Sequence, residues 1–298
     1  MILIVGGTGF LGSEIARQLL AQGNAVRVMT RSLSKAASLE KLGAEVLYGD
    51  LIRPDTLQQA CSGSETVIAA AHALLGRGKY ASSKVDDAGH RRLIDAAKAA
   101  DVQHFIYTSV LGAASGHLSA FWRTKYGVEQ YLQKSGLPYT ILRPAAFMEV
   151  HAHELLGKSI LLKGKATIFG KGENPTNFVA VRDVAQFAVQ AVNDSAMRNQ
   201  IIEIGGPENL TRKQVVALYE RFSGQPAKIS HVPRGALRFM SALFRPLHPG
   251  LSEIMGMSEL FDRTDQTFDP GPMLEKFPMQ LTPMERFIEE KTQERQDA

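Results

Sequence analysis

The chain opens Met1-Ile-Leu-Ile-Val-Gly-Gly-Thr-Gly-Phe-Leu-Gly12. The apolar run Ile2 to Val5 predicts a buried strand. It enters a glycine cluster in which Gly7, Gly9 and Gly12 spell G-x-G-x-x-G. Residues 10–22 then carry a helical pattern, with Ile15, Leu19 and Leu20 on one face. Strand, glycine turn and helix are the context that a dinucleotide-binding loop requires. The first glycine permits the tight turn, the second lets the backbone approach a pyrophosphate, and the third lets helix and strand pack closely. Gly6, Gly7, Thr8, Gly9, Phe10, Leu11 and Gly12 are therefore the candidate phosphate loop, with the anion at the helix N-terminus.

Working outward, apolar runs at 2–5, 25–30, 45–48, 66–71, 104–109, 139–143 and 201–204 alternate with helical patterns near 10–22, 54–61, 84–100, 119–135 and 182–193. That alternation predicts βαβ units and an α/β fold. A Rossmann-type, doubly wound parallel sheet follows, covered on both faces. The rhythm fails later: 157–181 is glycine-rich with short alternating runs, and 207–298 is mainly helical but broken by prolines. The expected organisation is a nucleotide-binding domain over 1–206 and a smaller C-terminal lobe over 207–298, to which 145–181 contributes. The charged stretch 289–298 is expected to fray.

The second strand ends at Arg31, about 20 positions past Gly12, where an NAD-binding chain carries an acid. In Thr30-Arg31-Ser32-Leu33-Ser34-Lys35 a guanidinium and hydroxyls stand there instead. Arg donates parallel charge-assisted hydrogen bonds to a phosphate, so the cofactor expected is NADP(H), held by Arg31 and Ser32. A solvated strand-end arginine is the alternative. Asp50 and Leu51 follow the third strand, at a carboxyl edge where α/β sheets hold ligands; Asp50 could equally serve the turn before Pro54. The small residues Ala69, Ala70 and Ala71 would let backbone pass close to the adenosine and ribose. His72, next in line, is a substrate or cofactor contact or simply an exposed histidine. Thr108 and Ser109 end the fifth strand, where the nicotinamide half would lie.

Composition narrows the classes. The chain has 298 residues, 44% of them hydrophobic, and a net charge of +4 spread along its length. No clustered basic face suggests nucleic acid. One cysteine, Cys61, excludes an intramolecular disulfide and any cysteine metal cluster. His151 and His153 stand two apart, a poor spacing for one helical face, and no metal is expected. With no run of 18 apolar residues and no leader pattern, the expected compartment is the cytoplasm. Arg234 to Leu247 is apolar with several arginines, and is read as a cap over the cleft, a partner surface or a membrane-surface segment.

Several further segments carry a family likeness. They are Asp87-Ala-Gly-His90 running into Leu93-Ile-Asp-Ala-Ala97, Val102-Gln-His-Phe-Ile-Tyr-Thr-Ser109, Leu137-Pro-Tyr-Thr-Ile-Leu-Arg-Pro144, Asn177-Phe-Val-Ala-Val-Arg-Asp-Val184 and Gly205-Gly-Pro-Glu-Asn-Leu-Thr211. In this order, over roughly residues 1–225, the chain resembles the extended and atypical short-chain dehydrogenase/reductases. Its likeness is greatest to the NmrA-like branch, which contains quinone, isoflavone and triphenylmethane reductases alongside redox-sensing regulators.

The resemblance implies a catalytic Ser109 and a Tyr-x-x-x-Lys motif, but here the motif reads Phe121-Trp-Arg-Thr-Lys125. Phenylalanine cannot donate a proton. Lys125 would hold the nicotinamide ribose, and in isoflavone-reductase-like relatives a matching lysine is thought to act without tyrosine; the alternative is a merely solvent-facing lysine. Tyr126 points about 100° away from it on a helix, and Tyr107 is read as core. Pro144 to Phe147 would pass the nicotinamide and begin the substrate wall, with Phe147, Met148 and Phe169 as pocket or core residues. The implied activity is NADPH-dependent reduction of a quinone, enone or similar conjugated acceptor, by a protein that could form a homodimer. The alternative is a non-enzymatic NADP(H)-binding redox sensor or scaffold. A sugar-nucleotide epimerase or dehydratase is disfavoured, because the missing tyrosine begins its oxidation step.

Overall fold

In the computed structural model, which describes residues 1–296, strand β1 (Ile2–Val5) is an interior strand of a seven-stranded sheet. The elements of the first unit are α1 (Phe10–Ala21), β2 (Val26–Thr30), α2 (Ala37–Lys41), β3 (Glu45–Tyr48), α3 (Pro54–Cys61), β4 (Thr66–Ala69), α4 (His90–Ala99), β5 (His104–Thr108), α5 (Ala120–Lys134) and β6 (Tyr139–Pro144). The sheet order is β3-β2-β1-β4-β5-β6 followed by a strand from later in the chain, Gln200–Ile204. All pairings from β3 to β6 are parallel. Chain order reverses between β1 and β4, so the crevice where such sheets hold ligands lies beyond Val5 and Ala69. Both strands are buried along their length, as expected of strands covered on two faces.

The first unit comprises 1–143 and 184–203, and the second 144–183 and 204–298. The first has a core of Leu3, Val5, Val67, Phe105, Tyr107 and Ile141 with the helix residues packed on them. Within it Glu129 of α5 is fully buried and receives a two-pronged contact from Arg143, Nε at 3.0 Å and Nη2 at 2.6 Å. Glu129→Gln is expected to cost about 3 kcal/mol of stability, because it leaves a largely buried guanidinium undercompensated. Replacing Glu129 and Arg143 together with methionine should recover most of that loss. Urea unfolding of the three proteins is the measurement, and a double variant no better than the single one would refute the assignment.

The second unit contains β7 (Ala146–Phe147), a π-helical segment Met148–Gly157, α6 (Lys158–Lys163), β8 (Lys165–Phe169) and β9 (Thr176–Val179). Helix α7 (Val181–Asn193) and β10 (Gln200–Ile204) return the chain to the first unit's sheet. The second unit resumes with β11 (Asn209–Leu210), α8 (Arg212–Ser223), β12 (Lys228–Val232), α9 (Arg234–Phe244), α10 (Pro249–Phe261), α11 (Gly271–Lys276) and α12 (Met284–Gln296). Its core gathers Met148, Leu156, Ile168, Phe178, Tyr219 and Phe287.

Two features differ from expectation. β8, in the stretch of short alternating runs, pairs in parallel with β12 over five residue pairs in a two-stranded sheet; β12 lies inside what reads as helical sequence, and being largely exposed and polar it carries no apolar run. The C-terminal stretch also stays helical through Gln296, because Phe287, Ile288 and Thr292 bury one face of α12. Residues 297 and 298 lie outside the described residues.

Candidate functional site

The glycine loop shows which glycines the fold itself demands. Gly6 has φ +86°, and a Cβ there would stand 2.7 Å from the backbone nitrogen of Ala71. One on Gly7 would meet Val28 Cγ1 at 2.6 Å, and one on Gly12 would collide with the Gly6 carbonyl oxygen. Thus Gly6 makes the turn, Gly7 lets the loop sit on β2, and Gly12 lets α1 close on the loop. Gly9 differs. A Cβ there would find only the Gly6 oxygen, at 3.4 Å, so packing does not require glycine at this position. Gly9 is also the N-cap of α1 and has no side-chain cap bond, which leaves amides of the first turn available to a ligand.

The predicted neighbours of that loop are assembled in the first unit. Thr8 Oγ1 lies 3.2 Å from Thr30 Oγ1, which also accepts from the Ser32 amide at 3.1 Å. Arg31 is exposed and stacks 4.8 Å over the Tyr80 ring; among the described residues it makes no ion pair. Tyr80 lay outside the residues singled out in the sequence. Phe10 is exposed, and Leu11 and Leu51 are buried. Asp50 is buried and its Oδ1 accepts from the Ile52 amide at 3.3 Å, so its carboxylate is engaged in the turn before Pro54. Ala69 is buried at the end of β4, the Ala70 amide donates to Val5 O at 2.9 Å, and Ala71 abuts Gly6.

Beyond β5 the structure brings together Thr108, Ser109, Phe121, Lys125 and His72. Ser119 caps α5, whose buried stripe is Trp122, Lys125, Val128, Glu129 and Leu132. A lysine therefore occupies a core-facing helical position. Its Nζ donates to Thr108 O at 2.9 Å and lies 4.9 Å over the Tyr107 ring and 5.6 Å over Phe121. Burial pushes the ammonium below its ordinary pKa, against the raising pull of Asp86 and Glu129. The hydroxyls of Tyr107, Thr108 and Ser109 are buried without a hydrogen-bond partner among the described residues. His72 meets Phe121 edge to face at 6.4 Å between ring centres. Although His72 is exposed on one side, desolvation by its surroundings and then the Lys125 charge lower its pKa, while Asp86 raises it.

Sequence reasoning missed a layer beneath this cluster. The π-helical turn Ser83–Gly89 carries Asp86 into the interior, where it accepts from Ser82 Oγ at 2.6 Å and the Ala73 amide at 2.9 Å. His90 stacks edge-on to Tyr107 at 5.4 Å. The readable signal was an Asp-Asp-Ala-Gly-His run entering an apolar helix. Pro144 and Phe147, with Met148 and Phe169, belong to the second unit; Met148 is core, and the two phenylalanines are half-buried. His153 bonds the Tyr219 hydroxyl at 3.0 Å. Among the described residues no cluster of three His, Cys, Asp or Glu side chains could hold a metal, and no helix is long and apolar enough to cross a membrane. In the segment Arg234 to Leu247, α9 buries Leu237 and exposes Phe239 and Leu243, and Leu247 beyond it is also exposed.

Burial holds His90, His104 and His151 near a pKa of about 4, helped by the charges of Lys125, Arg198 and Arg212 respectively. Unfolded histidines titrate near 6.5, so between those values the unfolded chain binds protons that the folded chain refuses. Stability is thus full above about pH 6.5 and falls as pH drops toward 4. The urea midpoint should decrease from pH 7 to pH 5; an unchanged midpoint would contradict these buried environments.

A profile of the NmrA-like family matches residues 1–292. The chain belongs to the NmrA-like family. A relative from Synechocystis sp., named Photosystem II assembly factor Ycf39, is 33% identical over 97% of this chain and 90% of its own length. The NAD(P)H azoreductase of Xenophilus azovorans is 31% identical, covering 76% of each chain. Among solved structures, the triphenylmethane reductase of Citrobacter sp. superposes with a TM-score of 0.79 at 20% identity, over 98% of this chain and 99% of that one. The quinone oxidoreductase QOR2 of Escherichia coli gives 0.77 at 21%, over 97% and 99%. At that identity the two structures establish the fold this NmrA-like protein shares with them.

Proposed function

We propose that this NmrA-like protein binds NADP(H) and reduces a quinone, enone or similar conjugated acceptor. The observation that carries the reading is Gly9, a glycine that packing does not require, at an uncapped helix N-terminus beyond the central strand. Gly6 to Gly12 would hold the pyrophosphate, and Ala69 to Ala71 would line the ribose side. Arg31, stacked on Tyr80 and without a carboxylate partner among the described residues, suits a 2′-phosphate. When bound, a reduced nicotinamide supplies the hydride. Lys125 would orient the ribose, and its buried ammonium can hold a proton near the reacting end. Ser109 would add a hydroxyl that has no hydrogen-bond partner among the described residues. Phe121 narrows the acceptor class: acceptors that delocalise the added charge can take their final proton from water, whereas an isolated carbonyl needs a positioned donor. The relatives named NAD(P)H azoreductase and isoflavone reductase homolog agree with a reductase.

A second reading, a non-enzymatic NADP(H)-binding sensor or scaffold, is favoured by Phe121 and by the near full-length likeness to proteins named as assembly factors. Titrating the purified protein with NADPH and NADH, then following NADPH oxidation with quinones, enones, azo compounds and aldehydes, separates the two. Turnover with a conjugated acceptor supports the reductase. Tight NADPH binding with no turnover across the panel transfers the site to the sensor or scaffold, and failure to bind either nucleotide rejects both.

A further inference from the structure

The cluster beyond β5 is rich in polar groups that turn inward. Tyr107 is fully buried, and Lys125, Ser109 and Thr108 are only 4%, 5% and 8% exposed. Lys125 is also engaged, donating to Thr108 O at 2.9 Å. His72 differs from all of them. It is exposed on one side, and neither ring nitrogen has a hydrogen bond or ion pair with a described residue. Its ring stands edge to face on Phe121, 6.4 Å between centres, and the Phe121 ring in turn lies 5.6 Å from the Lys125 ammonium.

The backbone that carries His72 is held on both sides. Before it, the Ala70 amide donates to Val5 O at 2.9 Å, and Ala71 fills the space that a Cβ on Gly6 would need. After it, the Ala73 amide donates to buried Asp86 at 2.9 Å, and the Ala73 carbonyl accepts from the Gly76 amide at 2.8 Å. A donor on so short a pinned span is placed before a ligand arrives, which is what preorganised stabilisation of charge requires. Desolvation and the Lys125 charge outweigh Asp86 and hold the His72 pKa below its ordinary value. The imidazole therefore stays neutral at pH 7, with one N–H donor and no partner to fix which nitrogen carries it.

We propose that His72 is a catalytic residue whose imidazole N–H donates a hydrogen bond to the oxygen of the conjugated acceptor. This role rests on the reductase reading of the site. The acceptor takes a hydride with its electron pair at carbon, and its π electrons shift to oxygen as an enolate or phenolate. That oxygen then takes a proton from water, directly or through Lys125, and the nicotinamide is left oxidised. A neutral imidazole is too weak an acid to supply the proton, so His72 stabilises the developing charge and is unchanged at the end.

The test has two arms, both on the full-length protein. In the first, NMR follows the His72 ring nitrogens at saturating NADP⁺, with 4-nitrophenolate as a stable phenolate and nitrobenzene as the ring without that oxygen. A saturable shift with the phenolate and none with nitrobenzene is expected; no shift with the phenolate overturns the proposal. In the second arm, His72→Phe keeps a ring against Phe121 and loses the N–H. It should lower kcat for a quinone by about 100-fold and leave the Kd for NADPH at the wild-type value. His72→Gln retains an N–H donor and should recover part of the loss. A packing role predicts the reverse order of the two variants, and that order overturns the proposal. Undiminished turnover in His72→Phe removes the role of His72 and leaves the reductase reading standing, whereas a wild-type protein that turns over no acceptor removes both. The wild-type titration decides the matter even where a variant fails to fold.

Discussion

Gly9→Ala is expected to raise the dissociation constant for NADPH by about 100-fold while the fold stays intact. The backbone at Gly9 is extended, with φ −85° and ψ 171°, so alanine adopts it without strain. Its methyl group would meet nothing closer than the Gly6 oxygen at 3.4 Å. The same change at Gly12 drives a methyl into the Gly6 carbonyl and should lower stability by about 1–3 kcal/mol instead. Two glycines of one fingerprint would then fail in different ways, one in binding and one in folding. Nucleotide titration by fluorescence, beside thermal unfolding, reads both. Wild-type NADPH affinity in Gly9→Ala would remove the main support for a nucleotide at this loop.

Lys125→Met should reduce turnover of a conjugated acceptor by about 100-fold or more, the range expected when a positioned proton-transfer group is lost. Methionine nearly matches the stem in length and removes a buried ammonium, so stability should hold or rise, and the loss cannot be assigned to unfolding. The pH profile adds a sign. Burial lowers the Lys125 pKa, so wild-type activity that needs the ammonium must decline on the alkaline side before the usual lysine value of about 10.4, and Lys125→Met must lack that limb. Undiminished turnover in the variant would leave Lys125 a core residue bonded to Thr108 and nothing more.

The first unit was legible because its signals are local and redundant. Each central strand is an apolar run, each crossover helix has a periodic face, and the turn after β1 needs glycine for reasons visible in three residues. Lys125 was legible only through family likeness, since its place on the buried stripe of α5 depends on which face the helix turns inward. The place of Asp86 was hidden for a related reason: the π-helical turn at 83–89 departs from the ordinary helical register and carries this aspartate inside. In the second unit the β8–β12 pair joins segments about 60 residues apart, and neither is apolar enough to announce a strand.

The seventh strand of the central sheet has a consequence for synthesis on the ribosome. Residues 1–143 emerge with β6 already formed as an edge, yet its partner β10 comes only after all of 144–183 has been made. An open edge strand is a template for pairing with other chains, and non-local parallel pairing is slow to form. The nascent protein therefore passes through an interval in which its first unit is nearly built but unsealed. Pausing of translation within 144–183 would lengthen that interval, and chaperone capture or edge-to-edge association of nascent chains would concentrate there.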